Sequence, residues 1–276
     1  MQQSMQRSNQ NQSNSRQIVS QKQWAADIQE KLTTALTDHI SALPVGLNRE
    51  RFILNSIAVI NSKAEDLRSV NPASIVQCLA KGAYLGLDFL NGECYAIPYK
   101  GELSFQTDYK GEIKLAKKYS RKRIADIYAK NVRKGDEFEE IIKDGHQSIN
   151  FRPVPFSDEE IIGTFAVVLY EDGSMIYDTM SSSEIEKVRA TYSKAQNSLA
   201  WRNSPGEMYK KTVLRRLLKL VDLEFDSSEQ VEAFSAGSGL EFDQPGEERG
   251  PARPGTVNDT VIDVFAEEIT DTEIDS

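Results

Sequence analysis

Two cysteines, Cys78 and Cys94, and two histidines, His39 and His146, are all that the 276-residue chain holds of either type. Two cysteines cannot build a disulfide framework or a four-cysteine zinc site. Two histidines this far apart make a histidine-based metal centre or catalytic triad a poor expectation. No apolar run approaches the roughly 18 residues that a membrane span requires. The first residues, MQQSMQRSNQNQSNSRQ, carry charge but no apolar stretch behind it, so a secretory leader is not expected. GxxxxGK[ST], GxSxG and HExxH are all missing, which leaves P-loop ATP hydrolysis, serine hydrolase chemistry and zincin chemistry without a signature. The expectation is a cytoplasmic protein without membrane or cofactor.

Charge is present but unevenly placed. The formal net charge is −9. Residues 222–276 hold 16 acids against two bases, Arg249 and Arg253, a net of −14. Residues 1–221 therefore hold 26 acids against 31 bases, a net of +5. Within them, residues 95–134 carry 11 bases and four acids, a net of +7. A basic-centred body joined to an acidic tail points to polyanion contact by the body and a separate task for the tail.

Composition divides the chain into three parts. Residues 1–20, rich in Gln, Ser and Asn, read as a disordered leader. Residues 21–225 read as the folded core, basic at its centre. Residues 226–276 read as an acidic, mostly disordered tail, its partly apolar stretch 256–269 suited to folding on a partner. In the core, Trp24, Ile28, Leu32 and Leu36 recur at helical spacing, as do Phe52, Ile53, Ile57 and Ile60. Asn71 and Pro72 open a third helix, which Gly82 and Gly86 are expected to end. Cys94–Pro98 and Glu102–Gln106 flank Tyr99-Lys100-Gly101 and read as a hairpin. A helix from about Asp108 follows, then strands at Arg123–Val132, Phe138–Ile142, Ser148–Phe151, Ile161–Tyr170 and Ser174–Thr179, with helices at 182–192 and 205–221. The fold class is α+β: a mostly antiparallel sheet backed by helices, with N-terminal helices and disordered ends.

Three constellations carry possible chemistry. In the helix at 108–121, capped by Thr107 or Asp108, Lys110, Lys114, Lys117 and Arg121 fall within about 60° of one another at 100° per residue. Such a stripe is self-repelling until a polyanion lies along it and its counterions are released. Gly111 in the first turn would let a phosphate approach the backbone N–H groups. In the hairpin, Tyr95, Tyr99, Phe105 and Tyr109 interleave with Lys100, Gln106 and Lys110; rings stack on bare bases while cations meet phosphates. The opposing expectation is that strand aromatics are core. In the third, Ser204-Pro205-Gly206-Glu207 reads as a capping box ahead of a cationic amphipathic helix. Lys211, Arg215 and Lys219 share one face of that helix and Lys210 and Arg216 flank it, with Val213, Leu217 and Leu220 opposite. Glu93, Asp108 and Glu112 form a weaker alternative, a Mg²⁺ site of nuclease type.

The string GLDFLNGECYAIPYKGELSFQTDYKGEIKLAKK resembles the RecT family of phage recombinases, relatives of the Redβ annealing proteins. The likeness runs from about residue 30 to 225. Its sharpest elements are Tyr95–Pro98, Phe105-Gln106 followed by Tyr109-Lys110-Gly111, and Trp201, Pro205, Met208 and Lys211 in register. The resemblance implies a non-enzymatic protein that coats single-stranded DNA and anneals it to its complement without ATP, as an oligomeric ring or helical filament. It implies two protein partners as well, a phage exonuclease and the host single-strand-binding protein, reached through the C-terminal region. It makes Gln106, Tyr109, Lys110, Gly111, Lys114, Arg121, Lys210, Lys211 and Arg215 the DNA-facing candidates. Tyr99, Lys100, Thr107, Lys117, Arg123 and Trp201 complete the set expected at single-stranded DNA and annealed duplex. A single-strand coating or RNA-binding module without annealing activity is the alternative reading.

Overall fold

The computed structural model describes residues 22–193 and 196–238, and these divide into two compact units. The leader and most of the tail lie outside the described residues. The first unit holds the chain up to Glu112 and takes up Phe225–Ser238 again; the second holds Ile113–Glu224.

In the first unit, helix α1 (22–38) buries Ile28, Leu32 and Leu36 completely, while Trp24 is half-buried. A 3-10 turn at Ile40–Ala42 leads to α2 (Arg49–Ser62), whose first turn is capped by the Asn48 side chain. Phe52, Ile53, Ile57 and Ile60 all turn inward, as the spacing requires. After the short α3 (Ala64–Leu67), helix α4 (Pro72–Leu85) begins at the expected Asn71 cap with proline at its first position. It ends at Gly86 in the left-handed region, φ 66°. Gly82 does not end the helix. It lies inside α4, where a Cβ would stand 2.5 Å from the Phe89 ring, so its smallness admits that ring to the core.

Strands β1 (Cys94–Tyr99) and β2 (Glu102–Thr107) pair antiparallel through a two-residue turn. Lys100 (φ 50°) and Gly101 (φ 80°) both take the positive φ that a tight hairpin with the right twist demands. Inward residues Leu103, Phe105 and Thr107 are buried, and the Leu103 amide donates to the Ser74 hydroxyl of α4 at 2.9 Å. Helix α9 (Ser228–Ser238) closes this unit. It stands where the tail was expected to begin, and Gln230, Ala233 and Gly237 are buried. The Gln230 amide donates to the Ala42 carbonyl at 3.1 Å, and the Thr107 hydroxyl donates to the Gly237 carbonyl at 3.1 Å. Few apolar residues suffice because small ones allow close approach: a Cβ on Gly237 would meet the Phe105 ring at 2.6 Å.

Helix α5 (Tyr109–Tyr119) carries the chain from the first unit into the second. There β3 (Ile124–Arg133), β6 (Ile161–Tyr170) and β7 (Met175–Ser181) form an antiparallel sheet in the order β3-β6-β7. The central strand is buried without a break from Thr164 to Val168, which is why its sequence is an apolar run rather than an alternation. Strands β4 (Glu137–Lys143) and β5 (His146–Arg152) make a separate hairpin. Its Phe138 and Phe151 rings lie 5.2 and 5.0 Å from that of Phe165 on β6. Among the described residues the antiparallel strands fall into two hairpins and a three-stranded centre.

Helices α6 (Ser182–Tyr192), α7 (Leu199–Asn203) and α8 (Pro205–Leu218) complete the second unit. The capping box belongs to Ser181 and Glu184 at α6, and those hydrogen bonds hold the Glu184 carboxyl below its usual range. Ser204 makes no side-chain cap at α8, since the short α7, which the spacing did not predict, runs almost directly into it. The Asn131 amide reaches from β3 to the Gly206 carbonyl at 3.2 Å and fixes the start of α8 on the sheet.

Candidate nucleic-acid interface

Helix α5 starts where Asp108 accepts from the Lys110 amide at 3.1 Å, so of the two expected caps it is the aspartate that serves. The Asp108 amide in turn donates to the Glu93 carbonyl at 3.0 Å. Leu115, Ala116 and Tyr119 are buried, and Lys110, Lys114 and Lys117 are exposed, so the helix has the amphipathic division that its spacing predicts. Lys117 and Lys118 in the last turn also complement the negative end of the helix dipole. Arg121 is not part of the helix. It follows the last turn, where residues 119–121 run beside 222–224. Its guanidinium lies 3.5 Å from both Asp222 and Glu224. Lys117 has a carboxylate neighbour too, Asp126 at 3.8 Å. Pairs this exposed are worth about 0–1 kcal/mol and yield readily to a denser anion.

Two candidates at the start of this helix have an intramolecular role. Thr107 is 1% exposed, its hydroxyl standing 2.8 Å from the Glu112 carboxylate and 3.1 Å from the Gly237 carbonyl, with one proton shared between them. Gly111 is buried, and a Cβ there would stand 2.1 Å from the Glu93 carbonyl oxygen. The missing side chain therefore admits the protein's own backbone and leaves no opening for a phosphate at that point.

On the hairpin, cross-strand pairing puts Tyr95 opposite Gln106 and Tyr99 opposite Glu102, on the face away from buried Leu103, Phe105 and Thr107. Tyr99 is 53% exposed and the Lys100 ammonium sits 5.1 Å from its ring. Gln106 and Tyr109 are half-buried. Phe105 is core, in edge contact with Phe89. Tyr95 joins the outward face with its hydroxyl 3.3 Å from Asp108. Period-two alternation against Gln106 was the signal that sets it apart from Phe105.

Around α8 the candidates are more deeply engaged. Trp201 is 6% exposed, covered by the Arg189 guanidinium at 4.9 Å and by Tyr209 at 6.3 Å. Burial, helped by the hydrogen bond that the Tyr209 hydroxyl donates to Glu186, pushes its pKa up to about 12. Lys210 pairs with Glu207, Lys211 is half-buried, and the Nε and Nη2 atoms of Arg215 are shielded from solvent. Arg216 is clamped to Asp178 on β7 and also donates to the Thr179 carbonyl at 2.7 Å. Arg123 is exposed just before β3.

A family model described as the RecT family matches residues 50–238. The chain is 31% identical over 215 residues to Protein RecT of Escherichia coli (strain K12), covering 74% of this chain and 75% of that protein. This chain belongs to the RecT family.

The family's class of activity is recombination of phage type, with DNA binding and single-strand annealing. The family match ends at Ser238, with α9 inside it. Within the RecT-family region the three carboxylates weighed as a Mg²⁺ site each have a structural partner. Glu93 accepts from the Asp88 amide, Asp108 caps α5, and Glu112 is buried against Thr107. Among the described residues no group of three or more His, Cys, Asp or Glu is placed to hold a metal ion. No described helix is long and apolar enough to cross a membrane.

Proposed function

We propose that the chain coats single-stranded DNA and anneals it to a complementary strand without ATP, working in the cytoplasm as a homo-oligomer. The observation that carries this reading is the exposed lysine stripe of α5, Lys110, Lys114 and Lys117, which follows a hairpin face bearing Tyr95, Tyr99, Lys100 and Gln106. Annealing runs downhill on base-pairing free energy, so the protein has barriers to lower and no step to drive. Lysines screen the repulsion between two phosphate backbones and release their counterions. Outward tyrosines offer stacking, worth roughly 1–3 kcal/mol per base, without reading sequence. Base edges must stay open for the incoming strand, so contacts should favour phosphate and sugar.

One stripe is short. Seven residues of helix separate Lys110 from Lys117, about 10 Å at 1.5 Å per residue, which spans only a few phosphates. Repetition of the chain along the strand extends the track, and a ring or filament follows from that need. The DNA-facing set contracts to Tyr99, Lys100, Gln106, Tyr109, Lys110, Lys114, Lys117, Arg121 and Arg123, with Lys210, Lys211 and Arg215 as a second group. The core runs through α9 to Ser238. A phage exonuclease and the host single-strand-binding protein are the proposed protein partners, reached through the C-terminal region.

The test is annealing of two complementary labelled oligonucleotides, without nucleotide or Mg²⁺. The full chain should speed duplex formation well above the spontaneous rate, and Lys110→Ala with Lys114→Ala should remove most of that gain. Tight binding with no acceleration would leave the coating reading in its place.

A further inference from the structure

The C-terminal segment, residues 239–276, carries 11 acids and two bases. Its point of departure is fixed by the fold. Helix α9 ends at Ser238, and the Gly237 carbonyl accepts from the Thr107 hydroxyl at 3.1 Å. Thr107 precedes the α5 cap, Asp108, by one residue and Lys110 by three. The acidic segment therefore leaves the first unit close to the start of the lysine stripe. Covalent reach keeps Glu241, three residues past Ser238, within about 11 Å of it, and Glu248 within about 36 Å. The stripe from Lys110 to Lys117 is about 10 Å long. A tether this short holds its acids at a local concentration on the order of millimolar, far above that of free DNA in most settings.

We propose that residues 239–276 dock on the α5 stripe and compete there with DNA. The competition rests on the DNA-binding reading above; the docking itself does not. A carboxylate-bearing chain and a phosphate chain present the same sign of charge to the same cations, but the carboxylates are sparser and release fewer counterions. The segment would yield to a long single strand and exclude short or weakly bound anions. It would act as a threshold on DNA entry, and its grip would loosen with salt.

Two measurements on the full-length chain test this. In the first, all the acids of 239–276 are changed to their amides and binding of a labelled oligonucleotide is followed by fluorescence anisotropy. The neutral-tail chain should bind roughly tenfold tighter at low ionic strength, the gap closing as salt rises. Lower net negative charge raises affinity even without docking, so the second measurement uses no DNA. A fluorescent peptide of residues 239–276 is titrated with the neutral-tail chain, with and without Lys110→Glu. Saturable binding that Lys110→Glu weakens severalfold supports docking on the stripe. No peptide binding, or binding indifferent to Lys110→Glu, overturns it, as does equal or weaker DNA affinity of the neutral-tail chain. If neither chain binds DNA, the DNA reading and the competition fall together, and the peptide arm still decides whether the segment docks.

Discussion

Helices α5 and α8 look alike in sequence: each sets several cations on one side and apolar residues on the other. The structure uses them differently. On α5 the lysines at 110, 114 and 117 stand exposed above a buried face of Leu115, Ala116 and Tyr119. On α8 two arginines are drawn into the second unit, Arg216 onto Asp178 of β7 and Arg215 with two guanidinium atoms shielded, while Lys210 pairs with Glu207 one turn back on the same helix. Helical spacing says which side of a helix is charged. Whether the charge is available to a ligand depends on what packs beside it, and α8 lies across a sheet whose edge strand supplies an aspartate.

The contrast can be broken at several points. The largest effect is expected at Trp201→Ala. Removing a buried indole that carries Arg189 on its ring should cost about 3–5 kcal/mol of stability in urea unfolding. If stability held and only DNA affinity fell, Trp201 would belong to the interface after all. Next comes Gly111→Ala. The new methyl would clash with the Glu93 backbone, so a loss of about 1–3 kcal/mol is expected from overpacking, before any effect on DNA. Arg216→Ala should cost about 2 kcal/mol, by loss of a charge-assisted hydrogen bond that leaves Asp178 unmatched. Asp178→Asn in the same background should recover part of it, and single-strand affinity below the melting range should change little.

Lys110→Ala should behave in the opposite way. The melting temperature should hold, while binding weakens alike for all sequences and the salt slope flattens by about 1. Lys210→Ala should do less to DNA than Lys110→Ala; the reverse order would overturn the comparison. The smallest effect concerns Lys122, a cation engaged within the turn between β6 and β7. It lies 3.2 Å from Asp172, whose carboxyl is held down at about 2 first by the Ser174 hydroxyl and amide that donate to it and then by Lys122. A depressed carboxyl contributes stability above its unfolded value, about 3.9, and loses it as pH falls through the folded one. The small melting difference between the wild type and Asp172→Asn should therefore be full near neutral pH and fade between about pH 4 and pH 2 in calorimetry.

Much of this was legible in the residues alone. Local signals with a single mechanism transferred well: the Asn71-Pro72 start of α4, the positive-φ Lys100-Gly101 turn, the alternating runs of β1 and β2, the strand-forming runs of β6 and β7, and the lysine stripe of α5. The errors share a cause. Gly82 and Gly111 were read as a helix stop and a phosphate opening, yet each makes room for a partner remote in sequence or beyond its own helix, the Phe89 ring and the Glu93 carbonyl. Thr107 was a candidate ligand and became a buried link to α9, 130 residues on. The segment after 226 lacked a strong apolar pattern, yet it packs through glycine, alanine and one satisfied glutamine.

By itself the sequence determined most of the elements, the fold class and the sign of the charge along α5, because turn chemistry, capping and periodicity act over a few residues. Tertiary structure decided which of those charges remain at the surface, which aromatics are core, and that the chain returns to its first unit through α9. Those outcomes depend on burial and on polar groups finding partners far away along the chain, and no local spacing encodes either.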